Sequence, residues 1–364
     1  MVTKPDAPRI LLVRLSAIGD CLHAVPVLVA LRQHFPHAFI GWAIEGAAHK
    51  LLEKHPLVDR FHLFPRQSFK RKEGTILTRM GLLSAFRKEL RDERYDTALD
   101  LQGLTKSGLV SWWSGAKQRI AFRGEESREL NTIFATRRIR IPETATHVVE
   151  KNLELIRPLG AEPPVRPEWV MPDYGPESAS LEGWLKAQGL GKFGTPFVLV
   201  NPGATWETKR WAPENFGAVA NGLARRGNLA VVATWADAAE KAAAELIVKA
   251  ADHARAFLAP ATNLRELAAL TAGAALFVGN DTGPMHLAVA LGVKCVAVFG
   301  ASDPLRNGPY GRGNRILAAG PECQPCWKTT CKRGDLACLT RVSPEQVLRA
   351  SDELLAQGSG AAAC

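Results

Sequence analysis

No apolar run in this 364-residue chain approaches the roughly 18 residues needed to span a bilayer; the longest are residues 24–31, 272–278 and 288–293. The first nine residues lack the charged-then-apolar pattern of a secretory leader. A cytoplasmic protein is the reading. A G-x-G-x-x-G element is missing after the first apolar run and a Walker A element is missing throughout, which argues against a dinucleotide dehydrogenase and a P-loop NTPase. There is no H-E-x-x-H and no nucleophile elbow. Repeats of solenoid period are absent, and the only biased tract is residues 357–364. The basic residues lie outside any helix-turn-helix or zinc-finger frame, so nucleic acid is not the expected partner.

What is present describes a globular chain long enough for two domains, each burying its own core: 46% hydrophobic and 23% charged residues. Lys and Arg total 46 against 36 acidic residues, a net charge of +10 that favours an anionic partner. Of seven cysteines, Cys21 and Cys295 sit in apolar segments as small core residues, and Cys364 is terminal. The others form Cys323-x2-Cys326-x4-Cys331-x6-Cys338. In a cytosolic protein that cluster allows a structural zinc or a redox staple as well as reduced thiols in a loop.

Branched apolar runs alternate with helical patterns along the chain. Residues 9–15 suit a central parallel strand, followed by the loop 16–20 and a helix over 21–35. Strands at 39–44, 61–64, 97–101 and 119–122 and a long helix at 76–94 continue the series. The Pro-densest segment, 161–176, reads as a linker. A second series follows, with strands at 197–201, 229–234, 256–258, 275–279 and 295–299. The expected fold is α/β, two Rossmann-like doubly wound domains facing a central cleft, with a break after residue 170, a second domain over 171–343 and a terminal helix and tail over 344–364.

Residues 276–292 organise the second half. A strand ending in Asn280-Asp281-Thr282-Gly283 makes Asp281 or Thr282 the N-cap of a helix with Pro284 at its start. Such a mouth suits an anion, and His286 in the first turn can donate to a phosphate or sugar oxygen. The loop 201–211 ends at the same sheet edge and offers Thr205 and Lys209, which can neutralise a diphosphate leaving group without a metal. In the first half, Asp20 reads either as an N-cap or as a general base. Arg66, Lys70, Arg71 and Lys72 form one basic loop, and Arg119, Arg123, Arg128, Arg137 and Arg138 fall in another, together an anion-steering patch.

Four separated motifs in order, Val13-Arg-Leu-Ser-Ala-Ile-Gly-Asp-Cys-Leu-His-Ala-Val-Pro26, Asp100-Leu-Gln-Gly-Leu-Thr-Lys-Ser107, residues 202–211 and Gly279-Asn-Asp-Thr-Gly-Pro-Met-His286, resemble the lipopolysaccharide heptosyltransferases of glycosyltransferase family 9. The resemblance runs from residue 10 to about residue 348. It implies a GT-B fold and an inverting transfer from ADP-L-glycero-D-manno-heptose to a Kdo-lipid A type acceptor, peripheral on the inner face of the inner membrane. No cofactor is implied. Carried over by the resemblance, Asp20 is the base, Lys209 and Thr205 contact phosphate, and Asp281, Thr282, Gly283 and His286 form the donor loop. Ala204 stands where some members have a second Thr. Arg66, Lys70, Arg71, Gln102 and Arg128 resemble the acceptor-binding set. Near Trp235, Asp237 and Glu240 are out of register with the family's ribose contact. The cysteine cluster resembles the second heptosyltransferase subgroup and the 102–128 region the first, so the acceptor stays open. Alternatives are a GT-B transferase with another nucleotide sugar or a non-lipid acceptor, and a non-catalytic anion- or nucleic-acid-binding protein.

Overall fold

The structure, a computed structural model, describes residues 7–70, 75–226, 228–251 and 255–359. The chain divides into two units, Met1–Asp173 and Tyr174–Cys364. Each is built on a parallel six-stranded sheet.

In the first unit the strands are β1 (Arg9–Val13), β2 (Phe39–Ile44), β3 (Arg60–Leu63), β4 (Thr97–Asp100), β5 (Gln118–Phe122) and β6 (Arg137–Ile139). They lie in the order β3-β2-β1-β4-β5-β6. The sheet therefore grows in opposite directions from β1, and the reversal falls between β1 and β4. Val13 is in register with both Ala43 and Asp100, so β1, β2 and β4 end at one level. Leu11, Val13, Ala43 and Ala98 face Phe86 and Leu90 of the helix Ile76–Asp92 and the Tyr95 ring. A side chain on Gly41 would collide with the Tyr95 hydroxyl, 1.8 Å from an added Cβ, so only glycine admits this ring.

The second unit contains β7 (Phe197–Asn201), β8 (Ala230–Ala233), β9 (Ala256–Leu258), β10 (Leu276–Asn280), β11 (Cys295–Phe299) and β12 (Arg315–Ala318), ordered β12-β11-β10-β7-β8-β9. Its reversal lies between β7 and β10. The near-continuous apolar runs have a physical reason: both faces are covered. Val198, Val200, Val231, Val278 and Val298 pack with Phe216, Ile247 and Leu354 on one side, while Leu199, Val232, Phe277 and Phe299 pack with Leu181, Leu270 and Met285 on the other.

Three differences from the sequence reading are informative. The helix expected over 21–35 is two helices, Ile18–Leu22 and Val25–His34, because Pro26 starts the second. Strands β6 (Arg-Arg-Ile) and β12 (Arg-Ile-Leu-Ala) lie at sheet edges with no fully buried residue, and both were missed. The units part after Asp173, and the terminal helix Pro344–Ser359 packs into the second unit through Val347 and Leu354. Leu354→Ala should therefore destabilise the second unit by about 2–5 kcal/mol, the usual cost of a buried Leu truncation. Urea denaturation followed by Trp fluorescence measures it; an unchanged midpoint would make the helix an accessory.

Candidate active site

Open parallel sheets bind ligands outside the carboxyl ends of their strands, where strand order reverses. In both units that place gathers charged side chains.

In the second unit the reversal joins β7 to β10, with Asn201 in register with Gly279. The chain leaves β10 through Asp281 and Thr282 into the helix Gly283–Ala290, with Thr282 as extended N-cap and Pro284 in the first turn. The Thr282 hydroxyl makes no cap bond. Asp281 is almost fully buried, its carboxylate 2.5 Å from the Lys209 ammonium and 3.6 Å from His286 Nε2. Ser302 Oγ donates to the same carboxylate at 2.5 Å. Burial alone would raise the Asp281 pKa; the His286 contact and the Lys209 and His286 charges outweigh it and hold the carboxyl at about 2.

Lys209 arrives from a short 3-10 turn, Glu207–Lys209, fixed from beneath. Thr208 O accepts from Ala301 N at 3.0 Å, and its side chain donates to Lys328 O. Gly300 is required there, since a Cβ would come within 1.9 Å of Thr208 O. Buried Asn280 ties the loop 202–211 to the turn, donating to Pro202 O at 2.9 Å and accepting from Trp211 N at 3.1 Å. The ammonium also stands 4.8 Å from the centre of the Trp206 ring. With three donors on the ammonium and one directed at Asp281, two remain for a ligand. Thr205 is exposed on this loop. Glu240 lies against Gly203, 2.3 Å from an added Cβ, and burial raises its pKa. It accepts from Ala236 N at 2.9 Å, which puts it, and not Asp237, beside the loop that bears Thr205.

In the first unit Asp20 is not the N-cap; Ala17 is, and Asp20 occupies the third helical position. Its carboxylate accepts from Ala17 N at 3.1 Å and pairs with Arg14 at 2.6 Å. Arg14 is buried, donates also to Leu101 O beyond β4, and keeps Nε without a partner. Glu45, at the end of β2, is clasped by Arg66 and Lys106, each at 2.6 Å. Gln102 uses its carbonyl oxygen on Leu15 N at 2.9 Å, so it can offer a ligand only its amide N–H groups.

Asp100 is wholly buried and pins two loops, accepting from Gln102 N, Gly103 N, Ser107 Oγ and Asn131 Nδ2. Burial is the main influence on it and raises its pKa. Through these bonds and Arg128 N to Gly103 O at 2.8 Å, the segment bearing exposed Arg128 is seated beside Gln102. Arg137 and Arg138 belong to β6, not to a loop as the sequence suggested. The Lys70 side chain and residues Arg71, Lys72 and Cys364 lie outside the described residues.

Sequence reasoning thus named Asp20, Lys209, Asp281, Thr282, Gly283 and His286 at the two edges, but missed Arg14, Glu45, Lys106, Asn280 and Ser302. Four of those, Arg14, Glu45, Asn280 and Ser302, end or follow a strand, a signal available in the chain. Cys323, Cys326, Cys331 and Cys338 are free thiols. Among the described residues no three His, Cys, Asp or Glu side chains are grouped closely enough to hold a metal ion.

Two doubly wound parallel sheets, each with charged side chains gathered at its reversal, define an α/β protein of two such units. Residues 83–337 match the model of glycosyltransferase family 9 (heptosyltransferase), and the chain belongs to that family. It is a glycosyltransferase of GT-B fold. It is 29% identical to lipopolysaccharide heptosyltransferase 1 of Pseudomonas aeruginosa, over 95% of this chain and 98% of the relative. To the lipopolysaccharide core heptosyltransferase OpsX of Haemophilus influenzae it is 26% identical, over 93% and 95%. The solved E. coli heptosyltransferase WaaC with ADP-2-deoxy-2-fluoro heptose superposes with a TM-score of 0.73 at 24% identity, covering 95% of this chain and 99% of that one.

The Asp281 cluster makes stability pH-dependent. A carboxyl depressed from 3.8 to about 2 stabilises the fold fully above pH 4, and that contribution fades as pH falls through 2. Asp281→Asn should cost about 2 kcal/mol at neutral pH and much less near pH 2. Urea unfolding at both pH values checks this, and an equal cost at both would assign the loss to packing.

Proposed function

We propose that this chain transfers a heptose, with inversion, from ADP-L-glycero-D-manno-heptose to the Kdo/heptose inner core of lipopolysaccharide, acting peripherally at the inner face of the inner membrane. The observation that carries the donor half is the Lys209–Asp281–His286 cluster at the β7/β10 reversal. Its two remaining ammonium donors meet a diphosphate, and the first turn of the helix Gly283–Ala290 adds its positive dipole end. The WaaC crystals hold an ADP-heptose analogue, and the curated relatives are lipopolysaccharide heptosyltransferases, which favours this donor and this acceptor class.

Asp20 takes the proton from the acceptor hydroxyl as that oxygen attacks the anomeric carbon. Lys209 and the helix end stabilise charge developing on the departing ADP. Arg14 orients Asp20 through one oxygen, leaving lone pairs on the carboxylate for the hydroxyl. Arg66 and Lys106, held by Glu45, and the exposed Arg128 supply the cations an acidic Kdo acceptor needs. The positive charge at the leaving group is the protein's own, so the proposed step needs no metal, and the four-cysteine loop takes no part in it.

The test is ADP release from ADP-heptose, with and without Kdo-bearing lipid A, in EDTA. Acceptor-dependent release is expected; release with neither a Kdo nor a heptosyl-Kdo acceptor would discard the named donor and acceptor. In the same assay Asp20→Asn should lower kcat by about 10²–10⁴ while leaving ADP affinity unchanged. Retained turnover would leave Asp20 a structural residue. Lys209→Ala should lower kcat/KM for the donor, and unaltered donor kinetics would take it out of the site.

A further inference from the structure

The helix Ile76–Asp92 is anchored at one end only. Phe86 and Leu90 enter the core of the first unit, whereas Ile76, Leu77 and Met80, in the first two turns, are 68%, 80% and 61% exposed. Spacing of i, i+1 and i+4 puts these three on one face. Exposed apolar side chains gathered on one face mark an interaction surface. Two turns on, Arg87 projects from the same side, its guanidinium 5.8 Å from the ring of Trp112, itself 45% exposed. From Thr75 to Lys88 the sequence contains Arg79, Arg87 and Lys88 and no acidic residue. The first acids, Glu89 and Asp92, are answered by Arg60 at 3.6 Å and Lys88 at 2.7 Å.

We infer that this face docks on an anionic lipid bilayer, with Ile76, Leu77 and Met80 entering the headgroup boundary and Arg87 and the Trp112 edge meeting the phosphate layer. Apolar insertion and electrostatic attraction together give the two contributions that hold a peripheral helix on a membrane. A second copy of the chain is disfavoured by charge: it would set Arg87 against the same cation on a protein of net charge +10. The inference deepens the membrane-side placement proposed above by naming the surface responsible.

Sedimentation of the full chain with vesicles tests it. Wild type should sediment with phosphatidylethanolamine–phosphatidylglycerol vesicles and stay in solution with phosphatidylcholine alone. The Leu77→Glu/Met80→Glu double variant, whose altered side chains are exposed and cost the fold little, should bind the anionic vesicles about ten-fold less, as should wild type at high salt. These vesicles carry no saccharide, so the measurement reads the surface whatever sugar the enzyme transfers. The variant should also retain turnover on a delipidated acceptor and lose it on one embedded in a bilayer. Equal vesicle binding by variant and wild type overturns the inference. So does a wild-type dimer, seen by light scattering, that the variant abolishes, which would assign the face to self-association.

Discussion

A carboxylate cannot be buried in a protein interior unless cations and hydrogen-bond donors replace the water it gives up, and Asp281 is buried with all of these supplied. The requirement propagates outward. Lys209 must reach Asp281, so the turn Glu207–Lys209 is held on Ala301 and Lys328. The close approach of Thr208 then requires glycine at position 300. Asn280 fixes the other end by bonding both sides of the loop 202–211. The result is an ammonium held in place before a ligand arrives, which is where electrostatic stabilisation of a leaving group is most effective, because no reorganisation is needed at the moment of reaction.

The first unit solves the opposite problem. The Asp20 carboxylate is left 39% exposed and is aimed by one buried cation, Arg14, reaching across from β1 to the end of β4, the arrangement that the proposed role as a base would require. Glu45 is the inverse arrangement, a buried carboxylate that fixes two cations. Each pair leaves the more exposed member facing outward. The exposed member is an acid at Asp20 and a base at Arg66, as expected if one group handles a proton and the other a carboxylate or phosphate.

The fold was largely legible because a parallel sheet covered on both faces writes its strands as apolar runs, and ten of the twelve strands have one. Two of the four edge strands, β6 and β12, were not read from the sequence. The site was legible where backbone geometry and chemistry coincide, as in Asn280-Asp281-Thr282-Gly283. It was illegible where a residue works through a distant partner. Nothing local marks Ser302 as the donor to a carboxylate twenty-one residues back, or Lys106 as a partner for a glutamate sixty-one residues back. Asp20 shows a subtler limit. Its position after Gly19 suggested a cap, yet the carboxylate bonds back to Ala17 N from the third helical position, a reciprocal contact that leaves it free to pair with Arg14 as well.

The excess of positive charge has to be apportioned before it can be interpreted. Lys209 and Arg14 are each matched by an internal carboxylate, so they contribute direction and little long-range field, while Arg66 and Lys106 share the one carboxylate of Glu45 and keep a net positive charge. A cation 2.5 or 2.6 Å from a carboxylate is nearly a dipole at the distance of an approaching ligand. Much of the net charge of +10 therefore belongs to surface residues, in segments such as residues 75–88 of the first unit, where the sequence has Arg79, Arg87 and Lys88 and no acidic residue. Steering and positioning are assigned to different residues, and they respond differently to salt. Screening weakens the surface field over about 8–10 Å at physiological ionic strength, while the buried Lys209–Asp281 pair is affected much less. An enzyme arranged this way loses encounter rate with an anionic surface as salt rises, yet keeps the geometry of its chemical step.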